Sequence, residues 1–170
     1  MTSVLLFTLL LCGFGLEVNA EYPLKPDFRC AIFPPGFTWY NGRCYRFVKQ
    51  ERNWYEAEKA CNRFGGHLAS IRTQDEHDFI SYLTLGKTGS HRSTWVGGYK
   101  VKGLVWTWSD GSPFTFSSWS PGEPNNAGGN ENCMQINLSD FPGEYVNDAN
   151  CDINLPFVCS KEALWLPESV

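Results

Sequence analysis

Apolar positions along this chain change period, and each change marks a different kind of element. Phe37-Thr38-Trp39-Tyr40 and Cys44-Tyr45-Arg46-Phe47-Val48 are aromatic-rich runs that read as strands. Asn41-Gly42 stands between them, and both residues tolerate the positive φ of a tight turn, so the stretch predicts a β-hairpin. The period then becomes helical. Trp54, Ala57, Ala60, Cys61 and Phe64 fall on one face, Asn53 is an N-cap with Glu56 three residues on, and Gly65-Gly66 supplies the stop. A second helix is predicted to start at Thr73, with Glu76 as its capping-box partner. It turns Phe79, Ile80 and Leu83 inward and stops near Gly86.

Beyond Gly89 the helical period disappears. Thr94 to Gly98 reads as a buried strand closing on glycines, and Val105-Trp106-Thr107-Trp108 as another. Cys133 to Leu138 and Pro156 to Cys159 read the same way, with a loop carrying Asn147-Asp148 between them. Trp95, Trp106, Trp108 and Trp119 are candidate core residues. Ser112 to Asn132 is Gly, Pro, Ser and Asn with scattered aromatics. A loop of that length inside a compact domain carries function or is disordered; Trp119 and the cysteine-bearing segments beside it argue for order. No internal repeat is present.

The N-terminus changes the picture of where the chain works. Val4 to Leu11 is a short apolar core and Val18-Asn19-Ala20 offers a signal-peptidase site, so residues 1–20 read as a secretory signal. The apolar stretch falls short of the ~20 residues of a membrane span, and no later segment qualifies, so membrane insertion is not expected. Removing 20 of the 170 residues leaves enough chain for one domain with a sizeable core. A net charge of −4 without a basic run argues against nucleic acid or an anionic membrane as partner.

Of the seven cysteines Cys12 lies in the signal, leaving Cys30, Cys44, Cys61, Cys133, Cys151 and Cys159. An even number in an oxidising compartment implies disulfides, although six cysteines allow 15 pairings. Zinc is the competing reading, weakened by the lack of any CxxC pair and by only three scattered histidines, His67, His77 and His91.

Glu123-Pro124-Asn125, Glu131 and Asn147-Asp148 carry the candidate chemistry. They offer a hard cation three carboxylates, two amides and nothing but oxygen, and Ca²⁺ takes roughly six to eight oxygens at about 2.3–2.6 Å. Either pair alone would be an ordinary turn; the joint pattern singles them out. Catalysis by two carboxylates is not expected, because carboxylates sharing a divalent cation stay ionised and cannot serve as general acids. No Gly-x-Ser-x-Gly, P-loop or His-Glu-x-x-His run is present. Asn137-Leu138-Ser139 is a candidate N-glycosylation sequon.

The ordered set Gly42-Arg43-Cys44-Tyr45, the Trp54 to Cys61 helix, Gly66-His67-Leu68-Ala69-Ser70-Ile71, Trp95-Val96-Gly97-Gly98, Glu-Pro-Asn, Asn147-Asp148 and Phe157-Val158-Cys159 resembles the C-type lectin domain in its long form. The resemblance covers residues 32–161, with a lead-in over 21–31 and a tail over 162–170. It implies an α+β fold: two helices packed on small antiparallel sheets, with a long ordered calcium-binding loop region. It implies the disulfides Cys61–Cys159 and Cys133–Cys151. Cys30 and Cys44 are left to pair with each other at the N-terminal hairpin or to bridge chains, since Phe33 stands where the family usually has Cys. It implies one calcium held by Glu123, Asn125, Glu131, Asn147 and Asp148, the same five contacting a sugar, with Pro124 cis. A second calcium is not expected, because Asn126 and Asn132 stand where some members place acids. Val146 replaces a Trp that commonly precedes Asn-Asp, and residues 140–144 read as an insertion. Glu-Pro-Asn resembles the mannose-type motif, implying glycans with equatorial 3- and 4-hydroxyls, as in mannose, glucose, N-acetylglucosamine or a suitably presented fucose. Recognition of microbial or cell-surface glycans in innate defence, and a homo-oligomer for avidity, are further expectations. Binding of ice or of a protein partner is the alternative.

Overall fold

A computed structural model describes residues 28–31, 33–102, 105–116, 118–136 and 146–164. The expected signal peptide, the Asn137 sequon, the 140–144 insertion and most of the tail lie outside these residues.

The hairpin joins β1 (Thr38–Tyr40) to β2 (Arg43–Arg52), with Asn41 at φ 43° and Gly42 at φ 83° in the turn. Helix α1 (Trp54–Arg63) starts where the Asn53 side chain accepts the Glu56 N–H at 2.9 Å. After the short β3 (His67–Leu68), α2 (Gln74–Thr88) starts where Thr73 accepts the Glu76 N–H at 3.1 Å. Glu76 does not fold back onto Thr73 as a capping box would. Its buried carboxylate takes the Arg72 N–H at 2.7 Å and the Tyr45 hydroxyl at 3.1 Å, fixing α2 to the sheet.

Helix α2 also runs past Gly86. It ends at Gly89, whose φ of 77° allows its N–H to reach the Leu85 carbonyl. An interior Gly costs a helix about 1 kcal/mol against Ala, and the packing of Phe79, Ile80 and Leu83 outweighs it.

The remaining strands are β4 (Thr94–Val101), β5 (Val105–Trp108), β6 (Cys133–Ile136), β7 (Val146–Ala149) and β8 (Leu155–Glu162). They form one eight-stranded sheet in the order β1-β2-β8-β4-β6-β7, with β3 on β8 and β5 on β4. Smaller, purely antiparallel sheets are therefore not what forms: β4 and β8 run parallel at Trp95 and Phe157 and fuse the two halves. Strand β4 continues through its glycines because the chain needs their missing side chains. A Cβ at Gly97 would lie 2.6 Å from the Leu68 carbonyl oxygen.

Alternation along β4, β6 and β8 feeds two cores. Val96, Met134 and Val158 pack with α2, while Trp95, Cys133, Phe157 and Cys159 pack with α1. Trp95 and Trp108 are buried, whereas Trp106 on β5 and Trp119 in the long loop are only half-buried. Cys61–Cys159, Cys133–Cys151 and Cys30–Cys44 are bridged, so the zinc reading falls and the open choice for Cys30 resolves within the chain. Bridges of this kind contribute about 2–4 kcal/mol each, largely by restricting the unfolded chain.

Candidate functional site

Strand β7 is where sequence and structure part, because Asn147 and Asp148 lie on it rather than on a loop. Val146-Asn-Asp-Ala has little strand character of its own. It is held by antiparallel pairing with β6, Gln135 opposite Asn147 and Met134 opposite Asp148. The long loop seals the other edge: Ser120 N–H donates to the Val146 carbonyl at 2.9 Å, and Val146 N–H returns to the Ser120 hydroxyl at 3.2 Å. Val146 is buried, so the position that commonly carries Trp in the resemblance is filled here without exposing the strand.

The Glu123–Pro124 bond is cis, and the Glu123 N–H is anchored on the Ser120 carbonyl at 2.9 Å. Asn125 donates from its side-chain amide to Glu123 Oε1 at 2.8 Å and from its backbone N–H to Glu123 Oε2 and Asp148 Oδ1, each at 3.0 Å. Asn126 N–H donates to Asp148 Oδ2 at 3.1 Å. A short 3₁₀ turn, Ala127–Gly129, then brings Ala127 N–H to within 2.6 Å of Glu131 Oε2, and Asn126 accepts the Glu131 N–H at 3.0 Å. Glu123, Asn125, Glu131 and Asp148 are thereby drawn into one loop cluster. Asn147 is joined to it by chain position, one residue from Asp148, and is half-buried.

Electrostatics explain the tension in this cluster. Asp148 is fully buried, Glu123 and Glu131 are half-buried, and Asn125 is exposed. Burial, then a hydrogen bond shared with Asp148, then repulsion from Asp148 and Glu131 raise the Glu123 carboxyl above its ordinary value, while the Asn125 N–H opposes the rise. Residues so placed favour an added positive charge. One basic residue that the sequence reading left out is already present: Lys100, on β4, donates to the Glu131 carbonyl at 2.9 Å and lies 3.2 Å from Asp148 Oδ2. A lone Lys at the end of an apolar strand was its only signal.

The donor set fits a hard cation, being all oxygen and strongly anionic. Among the described residues, however, no three His, Cys, Asp or Glu side chains form a ready-made coordination shell. Backbone N–H groups occupy part of each carboxylate. A carboxylate has about four lone-pair sites, so an oxygen that accepts one N–H can still face a cation. Glu123, Asn125, Glu131, Asn147 and Asp148 are the residues that would hold one.

A second cleft of about 450 Å³ lies on another part of the molecule, lined by Arg43, His67, Arg72, Asp110 and Lys161 among others. Its two arginines are already used: Arg43 bonds Ser70, Asp110 and Ser160, and Arg72 bonds Glu162.

Residues 50–161 match the family model described as Lectin C-type domain. The chain is 37% identical over 165 residues to the galactose-specific lectin nattectin of Thalassophryne nattereri, covering 95% of this chain and 99% of that one. Among solved structures it is similar to the cow C-type carbohydrate-recognition domain of CD23, determined in the presence of an oligosaccharide. The TM-score is 0.67 and identity 33%, covering 78% of this chain and 97% of that one. A calcium-independent type II antifreeze protein is as similar in shape, with a TM-score of 0.68, 30% identity, and 77% and 95% covered. Among the described residues no helix is long and apolar enough to cross a membrane.

Proposed function

Because this chain belongs to the C-type lectin family, we propose that it is a secreted, calcium-dependent, mannose-type lectin that acts by binding glycans and not by catalysis. The observation carrying this reading is the convergence of Glu123, Asn125, Glu131 and Asp148 on one loop cluster whose negative charge is only partly balanced.

A calcium ion bound there would supply open coordination positions to two neighbouring sugar hydroxyls. The chain's own residues set which hydroxyls fit. Ionised Glu123 and Glu131 can only accept hydrogen bonds, while the amides of Asn125 and Asn147 can also donate. Each hydroxyl can give its proton to a carboxylate and receive one from an amide. That order suits equatorial 3- and 4-hydroxyls, as in mannose, glucose or N-acetylglucosamine, or the equivalent equatorial pair of a suitably presented fucose. The name of nattectin points to galactose for that protein, so the choice between the two sugar classes is the finer part of the proposal.

Retention on immobilised mannan with Ca²⁺, and release by chelator or free mannose, is expected. Retention that ignores chelator would sink the calcium dependence, and release by galactose alone would sink the mannose preference. A single shallow site binds weakly, so pairing of chains would be needed for avidity on microbial or host surfaces. Similarity to an antifreeze protein supports ice binding as the second reading; thermal hysteresis without mannan retention would replace the first with it.

A further inference from the structure

Lys100 ends against oxygen atoms on the inner side of the loop. Its ammonium touches the Glu131 carbonyl and Asp148 Oδ2, and it lies 5.0 Å from the centre of the Trp106 ring. Its side chain is 12% exposed and that of Asp148 is wholly enclosed. A carbonyl oxygen, a carboxylate and an aromatic face are the surroundings a bare cation would choose. The strand delivers the group firmly. Lys100 pairs with Trp106 across β4 and β5, and its backbone N–H is held by the Asn132 carbonyl at 2.8 Å.

The charges close on this arrangement. Glu123, Glu131 and Asp148 bring three negative charges to the cluster, and Lys100 cancels one, which leaves what a single divalent ion neutralises. An enclosed carboxylate without a counter-charge would be costly to keep. We infer that Lys100 is a tethered cation doing the work of a second divalent ion: it neutralises Asp148, pins the Glu131 carbonyl, and limits the site to one calcium per chain. This deepens the calcium-dependent reading above and rests on it. Lys100 is a positioning residue, since its ammonium acts on the donors rather than on the sugar.

The test is calorimetric titration with Ca²⁺ alone, beside thermal unfolding in chelator. The wild-type chain should bind one Ca²⁺. K100M should unfold about 5–10 °C lower in chelator, as expected for an enclosed carboxylate stripped of its partner, and K100R, which keeps the charge, should recover most of that loss. K100D/N132D, which removes the ammonium and adds one carboxylate at its place on β4 and another directly after Glu131, should bind a second Ca²⁺, an outcome that a merely structural lysine would not produce. Two calcium ions on the wild type would overturn the inference. So would one calcium on a folded K100D/N132D, or K100M melting with the wild type in chelator. A wild-type chain that binds no calcium sinks the reading of the site and this inference together; one calcium with unaltered K100M melting sinks this inference alone.

Discussion

The Asn125 backbone N–H donates to Asp148 Oδ1 at 3.0 Å across 23 residues of sequence, and so ties the long loop to β7. Asp148 also receives Asn126 N–H and the Lys100 ammonium, which makes it a structural hub as well as a candidate ligand. Glu131, by contrast, is half-buried and its carboxylate takes one N–H, from Ala127. In chelator, D148N should lose about 2–4 kcal/mol, because an amide cannot accept three donors at one buried position. E131Q should stay within about 1 kcal/mol of wild type. Both should abolish calcium-dependent retention on mannan. Differential scanning fluorimetry in chelator separates them, and equal melting of D148N and wild type would refute the hub role.

Glu123 carries the opposite signature. Burial, the contact with Asp148 and the nearby Glu131 all disfavour its ionised form, so at neutral pH its charge works against the empty fold. E123Q should therefore melt at or slightly above wild type in chelator, by less than about 1 kcal/mol because solvent screens the group. The same variant should lose calcium binding. Added Ca²⁺ would then raise the melting temperature of wild type and leave E123Q unmoved. A substantial fall of E123Q in chelator would contradict the repulsion.

Stability away from the loop should depend on pH through Asp110. Burial pushes its carboxyl up, but the Ser112 and Ser70 hydroxyls, the Ser112 N–H and the Arg43 guanidinium outweigh that and hold it below its ordinary value. Asp110 bonds Arg43 at 3.3 Å, and Arg43 in turn bonds Ser70 and Ser160, so one carboxylate helps to close β2 onto β8 and the segment after β3. A depressed folded pKa means the stabilisation is fully present above the ordinary carboxylate value near 4 and is lost as pH falls through the lower folded value. Melting of wild type should therefore decline steeply below about pH 4, and D110N should start lower at neutral pH and decline less. Parallel pH profiles for the two would remove Asp110 from this account.

Much of the frame was legible because it is written locally. Asn53 and Thr73 cap the helices that their spacing predicts, and Asn41-Gly42 turns the hairpin. Glu123, Asn125 and Glu131 could be singled out because oxygen ligands on one loop have a chemical meaning before any fold is known. What could not be read depends on distant partners. Asn147-Asp148 became a strand only through β6 and Ser120, and the parallel contact of Trp95 with Phe157 joins segments far apart in sequence. Gly86 was overridden by the apolar face of α2 and by the better stop at Gly89. Lys100 was invisible for the same reason, since its role exists only where β4 meets Glu131 and Asp148.

Sugar choice should follow the order of donors and acceptors in the loop. Glu123 accepts from the Asn125 amide at 2.8 Å, so the two side chains lie side by side with acceptor and donor in fixed order. Exchanging that order in E123Q/N125D keeps the volume of both residues and one carboxylate, so the loop contact can re-form with the roles reversed. A hydroxyl pair matched to the original order then meets two donors or two acceptors in the wrong place, and each unsatisfied contact costs about 1–3 kcal/mol. Mannose should lose at least about tenfold in competition for the double variant, which corresponds to 1.4 kcal/mol, while galactose gains. Elution from mannan and from immobilised galactose, with Ca²⁺ in both, reads the outcome directly. If the double variant binds calcium and keeps its preference, selection lies in other residues.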